Sequence, residues 1–244
     1  MPSTVKQQYQ ASVFWQKFLV DMITKWISKN IPKYKFIECG VKFGNSAYII
    51  ANNLQRKGYL FDTWEGFPSY HKNDVYSKAA KQDLIKKVRR KKDVYGRCVK
   101  RLKKYNVYHL CKMIRGDICK TVPIFCEKNR KLKISFLNAD VDLYEPTSII
   151  LKNLWPMIVN GGILYCDDYK RWRWPGVKMA IDQFIEEDRD SVLVYVFNSK
   201  ISRSIIIMKN FNNEFNEKFE NFVKYIESEI EICINKNLYD GFLK

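Results

Sequence analysis

"ISFLNADVDLYEPTSIILKNL", residues 134–154, decides the fold. It begins as a buried strand and passes straight into a helix-compatible stretch, so strand and helix follow each other with only a short turn between. Asp140 and Asp142 stand where the apolar run should meet solvent. A second run, "GGILYCDDY" (161–169), ends the same way in Asp167 and Asp168.

Working outward, strand-length apolar runs recur at "KFIEC" (35–39), "GYLFD" (58–62), "HLCKMI" (109–114), "KISFLNA" (133–139), "GILYCD" (162–167), "VLVYVF" (192–197) and "RSIIIM" (203–208). Helix-compatible segments lie between the first five: "NSAYIIANNLQRK", a basic block at 78–104, "VPIFCEKN" and "EPTSIILKNLWPMI". Strands that alternate with helices pair in parallel through right-handed crossovers, and continuously apolar strands need helices on both faces. The expected fold is α/β: a doubly wound, mostly parallel seven-stranded sheet over 34–209. A helical extension precedes it (1–33) and a C-terminal helix follows (210–244). In the first, Trp15, Phe18, Leu19, Met22, Ile23 and Trp26 share one helical face; in the last, Phe211, Phe215, Phe219, Phe222, Ile226 and Ile230 form a stripe. That stripe is read as packing on its own domain, with a homodimer contact or a lid as alternatives.

At 244 residues and 46% hydrophobic, the chain can bury a real core. The seven cysteines are odd in number and form no C-x-x-C pair, which reads as reduced thiols of a cytoplasmic protein. The N-terminal apolar stretch is interrupted by Lys17, Asp21 and Lys25, so neither a signal peptide nor a membrane span is expected. Net charge is +17, and 78–104 alone holds thirteen Lys/Arg against Asp83 and Asp93, a local +11. This block is either a polyanion-binding surface or a solvated basic face.

Ligands of such sheets bind at the carboxyl ends of the strands, where this chain places its acids. Asp140, Asp167 and Asp168 would repel one another without a cation between them, and oxygen-only ligands suit Mg²⁺, with Ca²⁺ or Mn²⁺ next. Asp142 and Glu145 make a D-x-x-E capping box, so Asp142 reads as a helix cap. After the first strand, Gly40 and Gly44 bound a turn into a helix, a place for close backbone approach to a ligand or a plain strand-to-helix turn. Glu38 could hold an ammonium, such as that of S-adenosylmethionine, or cap a helix. Asp62 could take the hydroxyls of a ribose, with an exposed loop Asp as the alternative, and Asp117, in "RGDI", an adenine edge.

"FIECGVKFGNSA", "LFDTWEGFP", "YNVYHLCKMIRGDICKTVP", "LNADVDLYEPT" and "LWPMIVNGGILYCDDY" stand in the order and spacing of the macrocin O-methyltransferase family, which the chain resembles over about residues 34–185. Its most specific motifs, D-x-D-x-Y-E-x-T and G-G-x-x-x-x-D-D-Y, match at Asp140, Asp142, Tyr144, Glu145 and Thr147 and at Gly161, Gly162, Asp167, Asp168 and Tyr169. The resemblance implies a Rossmann-like class I methyltransferase using S-adenosylmethionine and Mg²⁺. It implies that Asp140, Asp167 and Asp168 hold the metal, while Glu38, Gly40, Asp62 and Asp117 hold the cofactor. The implied acceptor is a hydroxyl of a sugar or glycosylated small molecule; a catechol or an RNA 2′-hydroxyl is the alternative. Direct methyl transfer needs no covalent enzyme intermediate, and His71, in the loop after "WEGFP", is the candidate general base. His109, the other histidine, opens a strand and reads as structural. The departures are Asp117, where relatives often carry Trp, the basic block and the long C-terminal helix.

Overall fold

Strands that are apolar on both sides must be covered on both sides, and the computed structural model has that form. It describes the backbone of residues 5–74, 93–170, 175–197 and 204–235, and the side chains within those ranges from 13 to 234. Seven strands, β1 (Lys35–Cys39), β2 (Gly58–Asp62), β3 (Cys111–Arg115), β4 (Ile134–Ala139), β5 (Ile158–Cys166), β6 (Val192–Val196) and β7 (Ile205–Lys209), form one sheet in the order β3-β2-β1-β4-β5-β7-β6. Pairing is parallel from β3 through β5; β7 runs antiparallel to both β5 and β6.

The helices are α1 (Val5–Asn30), α2 (Ala47–Leu54), α3 (Val94–Lys104), α4 (Ile118–Lys128), α5 (Tyr144–Leu154), α6 (Pro175–Glu187) and α7 (Asn213–Asn235). Successive residues of a strand point to opposite faces, and the two cores follow that rule. Phe36, Leu60, Phe136, Ile163 and Ile206 face α1, α2, α3 and α7. Ile37, Phe61, Leu137, Leu164 and Ile207 face α4, α5 and α6. The stripe packs inward from Phe215 on, the Trp26 ring lying 5.4, 5.0 and 5.3 Å from those of Phe215, Phe219 and Phe222, whereas Phe211, ahead of α7, is exposed. Both terminal helices therefore belong to the same core as the sheet.

Several boundaries differ from the sequence reading, each for a local reason. β3 starts at Cys111 rather than 109, because its partner β2 begins at Gly58, opposite Cys111, and 108–110 form a 3₁₀ turn. β5 starts at Ile158 rather than 162; its register against β4 jumps from Ile134↔Ile158 to Phe136↔Ile163, with Gly161 at φ +76° inside the irregularity. α4 begins at Ile118, well before "VPIFCEKN", because Asp117 caps it. Residues 75–92, most of the basic block, lie outside the described residues, and its remainder is the amphipathic α3. Among the described residues, no helix is long and apolar enough to cross a membrane.

Candidate active site

The sheet reverses its winding between β1 and β4, whose carboxyl ends flank the crevice where such folds bind ligands. Gly40 makes their close approach possible. It sits at φ +90°, and a Cβ there would lie 1.8 Å from the Asp140 carbonyl oxygen. Gly44, at φ +71°, likewise faces protein, with Cys98 Sγ 2.9 Å from its would-be Cβ. The approach these glycines permit is chain against chain.

Beyond β4, Val141 and Leu143 are buried, which turns Asp140 and Asp142 the other way. Asp142 takes a left-handed φ of +64°. Carboxylate oxygens of Asp140, Asp142 and Asp168 lie within 4.8 Å of one another, and Asp168 is fully enclosed. A donor set of oxygens alone within that span fits a small hard cation such as Mg²⁺ or Mn²⁺. Gln16 of α1 donates to Asp140 Oδ2 at 2.6 Å and so orients one member of the set. Asp167 stands outside it: its Oδ1 accepts the Tyr165 hydroxyl at 3.1 Å. Both lie in the turn that follows β5, where Asp168 reaches the cluster and Asp167 accepts from Tyr165. Burial, with the Asp167 charge second, pushes the Tyr165 phenol well above its ordinary range.

The capping box is not formed. The N-cap of α5 is Leu143, so Asp142 is one position too early, and no side chain of the N-cap residue caps the helix. Asp74 does so from a distant loop. It is fully buried, and its carboxylate accepts the Tyr144 N–H at 2.6 Å and the His71 N–H at 2.8 Å. That pins the loop carrying His71 against the turn that bears Asp140 and Asp142, with the imidazole stacked 4.9 Å from the Tyr144 ring. His71 Nδ1 accepts the Asn73 N–H at 3.2 Å.

On the other side of the crevice, Glu38 is fully buried. Its Oε1 accepts the Ser46 hydroxyl and, at 2.8 Å, Asn138 Nδ2. Ser46 precedes α2 but spends its hydroxyl on Glu38 rather than on the helix end. Glu38 Oε2 has no hydrogen-bond partner. Burial pushes this carboxyl up to about 8; the Ser46 hydrogen bond lowers it and the Asp140 charge raises it. A buried acceptor without a donor fits the ammonium of a cofactor. Asp62 uses its two oxygens on the N–H groups of Lys42 (2.7 Å) and Trp64 (2.6 Å), holding together the loops after β1 and β2. Asp117 accepts the Cys119 N–H at 3.0 Å as the cap of α4. Asp62 thus ties two loops together and Asp117 caps a helix, roles the sequence reading did not propose for them.

Gln16, Ser46, Asp74 and Asn138 are site residues that the sequence reading passed over. Asn138, a polar residue inside an apolar strand, carried a usable signal. The others lie in a helix or a loop with nothing local to mark them.

The chain matches the macrocin-O-methyltransferase (TylF) family over residues 16–192. No curated protein matches it. Among solved structures it is similar to CalS11, a calicheamicin methyltransferase, at 21% identity and TM-score 0.65 over 79% of each chain. It is similar to the O-methyltransferase NovP at 19% identity and TM-score 0.63 over 80% of each. The O-methyltransferase TomG from Streptomyces achromogenes, solved with its SAM cofactor, shares 10% identity and TM-score 0.55 over 86% of this chain and 92% of that one. These likenesses concern the fold.

Proposed function

The chain belongs to the macrocin-O-methyltransferase family and is an S-adenosylmethionine-dependent O-methyltransferase; from that premise we propose that its acceptor is a sugar hydroxyl, on a saccharide or a glycosylated small molecule, and that a divalent cation takes part. The observation that carries the metal reading is the set of three carboxylates at the mouth of β4 and β5, beside the buried Glu38. The sugar reading draws support from the family and from CalS11, whose description is a TDP-rhamnose 3′-O-methyltransferase.

Asp140, Asp142 and Asp168 would hold the cation, with Gln16 fixing the rotamer of Asp140. Bound there, Mg²⁺ would supply a Lewis acid that lowers the pKa of the acceptor hydroxyl. Glu38 would receive the cofactor's ammonium on Oε2, while Asp62 keeps the loops after β1 and β2 in register beneath it. Asp74 holds the metal-bearing turn from behind. Positioning of this kind reduces the search for a reactive geometry, which contributes substantially to a direct transfer. A small-molecule acceptor is preferred to RNA, because the floor of the site is acidic. The free cysteines among the described residues suit a reducing compartment.

Two measurements test this. Methyl transfer is screened against glycosides, nucleotide sugars and catechols, with Mg²⁺ and with chelator. Mn²⁺ affinity, read by electron paramagnetic resonance, is compared for Asp140→Asn, Asp142→Asn and Asp167→Asn. Asp140→Asn and Asp142→Asn should lose Mn²⁺ affinity about tenfold or more and Asp167→Asn should keep it, all three binding cofactor normally. If Asp167→Asn loses the metal and Asp142→Asn binds it but does not turn over, Asp167 is the ligand and Asp142 the proton acceptor. Chelator-insensitive transfer would remove the cation from the reading altogether.

A further inference from the structure

At the opposite end of the sheet from the acidic cluster lies a groove that the methyl transfer does not use. It has a volume of about 900 Å³ and opens beside the amino ends of β1, β4 and β5, and pockets of that size take drug-sized molecules. β4 leads from Lys133 at the groove to Asp140 at the cluster, roughly 23 Å of extended chain. Groove and cluster are therefore separate places.

The groove owes its shape to the irregularity in β5. The register against β4 jumps after Ile134↔Ile158, and Gly161 takes φ +76°, so that Ile158 and Val159 line the groove. The Phe215 ring fills the space over Gly161, 2.7 Å from where a Cβ would stand. Phe211 meets Phe215 edge-on at 5.4 Å. The walls are fixed from behind. Arg56, which is buried, donates to the carbonyls of Ile31 (2.9 Å) and Pro32 (3.0 Å) and to Ser135 Oγ of β4 (2.9 Å). The Lys35 N–H donates to the Lys133 carbonyl at 3.1 Å.

The lining has two chemistries. Tyr34, Pro156, Met157, Phe211 and Phe215 supply rings and apolar groups, while Arg130, Lys131 and Lys133 supply three exposed cations. No Asp or Glu lines the groove, and the ion pairs formed by the described residues include none of the three cations. Lys133 Nζ sits 5.7 Å from the Tyr34 ring centroid. Phe211 is 55% exposed, which leaves apolar area in water that a ring laid against it would remove.

We propose that this groove is a second binding site, for a small aromatic phosphate monoester whose ring lies against Phe211 and whose phosphate is held by Arg130 and Lys131, with Lys133 adding its charge. A dianionic phosphate suits three cations, and the guanidinium fork of Arg130 matches two of its oxygens. A neutral apolar ligand would leave the cations unmatched; a simple polyanion would leave the rings in water. The site does not depend on which hydroxyl the enzyme methylates.

The probe is 1-naphthyl phosphate, titrated calorimetrically into protein saturated with S-adenosylhomocysteine, which keeps the cofactor pocket filled. The saturated wild type should bind it. Arg130→Gln/Lys131→Gln and Phe211→Ala, all at exposed positions, should each bind it about tenfold more weakly, with S-adenosylhomocysteine affinity retained. Lys103→Gln/Lys104→Gln removes the same charge from α3 and should bind it like the wild type, which takes the general attraction of a +17 chain out of the comparison. Inorganic phosphate and 1-naphthol, each carrying half of the recognised chemistry, should bind about tenfold more weakly than the ester or worse. The proposal falls if either half binds as tightly as the ester, if the α3 variant loses as much as the groove variants, if the ester displaces S-adenosylhomocysteine, or if the wild type does not bind it. A dimer in sedimentation that Phe211→Ala breaks apart would make the groove an interface between two copies and would also overturn it. Absent S-adenosylhomocysteine binding in the wild type would count against the methyltransferase reading alone, since the ester and the groove variants can be compared without it.

Discussion

Glu38→Gln should make the protein more stable at neutral pH, and by an amount that grows with pH. Glu38 is fully enclosed and its carboxyl is pushed from 4.5 up to about 8, chiefly by burial. A raised acid means that the native state holds the proton while the unfolded chain has already released it. Stability contributed by the neutral group is therefore present below pH 4.5 and is lost as pH rises from there towards 8. The slope is about 1.4 kcal/mol per pH unit. The accumulated cost is roughly 3 kcal/mol at pH 7 and under about 1 kcal/mol at pH 5. Glutamine has the same shape and no charge to bury. Its Oε1 can keep the donors from Ser46 and Asn138, and its N–H can approach Asn138 Oδ1, a buried acceptor without a partner. The assay is urea denaturation of both proteins, without cofactor, at half-unit steps from pH 5 to 8. The difference in unfolding free energy should widen steadily across that range. A difference that stays flat would mean that Glu38 is ionised or hydrated in the native protein, and the account of its burial would be wrong. The same variant should bind S-adenosylmethionine more weakly, because the acceptor for its ammonium is gone.

Asp74→Ala strips the acceptor from two backbone N–H groups and should cost about 3 kcal/mol in urea denaturation, an unsatisfied buried donor costing roughly 1–3 kcal/mol. Asp74→Asn, which keeps one oxygen for Tyr144, should recover part of that, and equal losses would contradict the capping role. Trp26→Ala removes the ring on which Phe215, Phe219 and Phe222 rest and should cost about 3–5 kcal/mol in a single unfolding transition. Two separate transitions would mean that α7 unfolds independently of the sheet.

The sequence by itself determined the sheet. Its apolar runs have the length of strands, and their alternation with helical segments restricts them to parallel pairing through crossovers, so the seven strands fell close to where they stand in the chain. It also determined that acids end the strands facing the crevice, because a strand's carboxyl end is fixed once the strand is found. Which acids meet was decided only in three dimensions. Asp167 and Asp168 are equivalent as letters, and the turn after β5 takes one to Tyr165 and the other to the cluster. Asp142 spells a capping box with Glu145, but α5 starts one residue later than that box requires, and a single step of register moves a side chain to the other face. The true cap, Asp74, comes from a loop seventy residues earlier in the chain, a distance no local pattern spans. Glu38 was legible as a carboxylate at a strand end, but its burial and its proton depend on Ser46, Asn138 and the packing of β4 against β1. Periodicity is a property of neighbours along the chain; the protonation of a buried group and the grouping of distant charges depend on neighbours in space, and these exist only once the chain has folded.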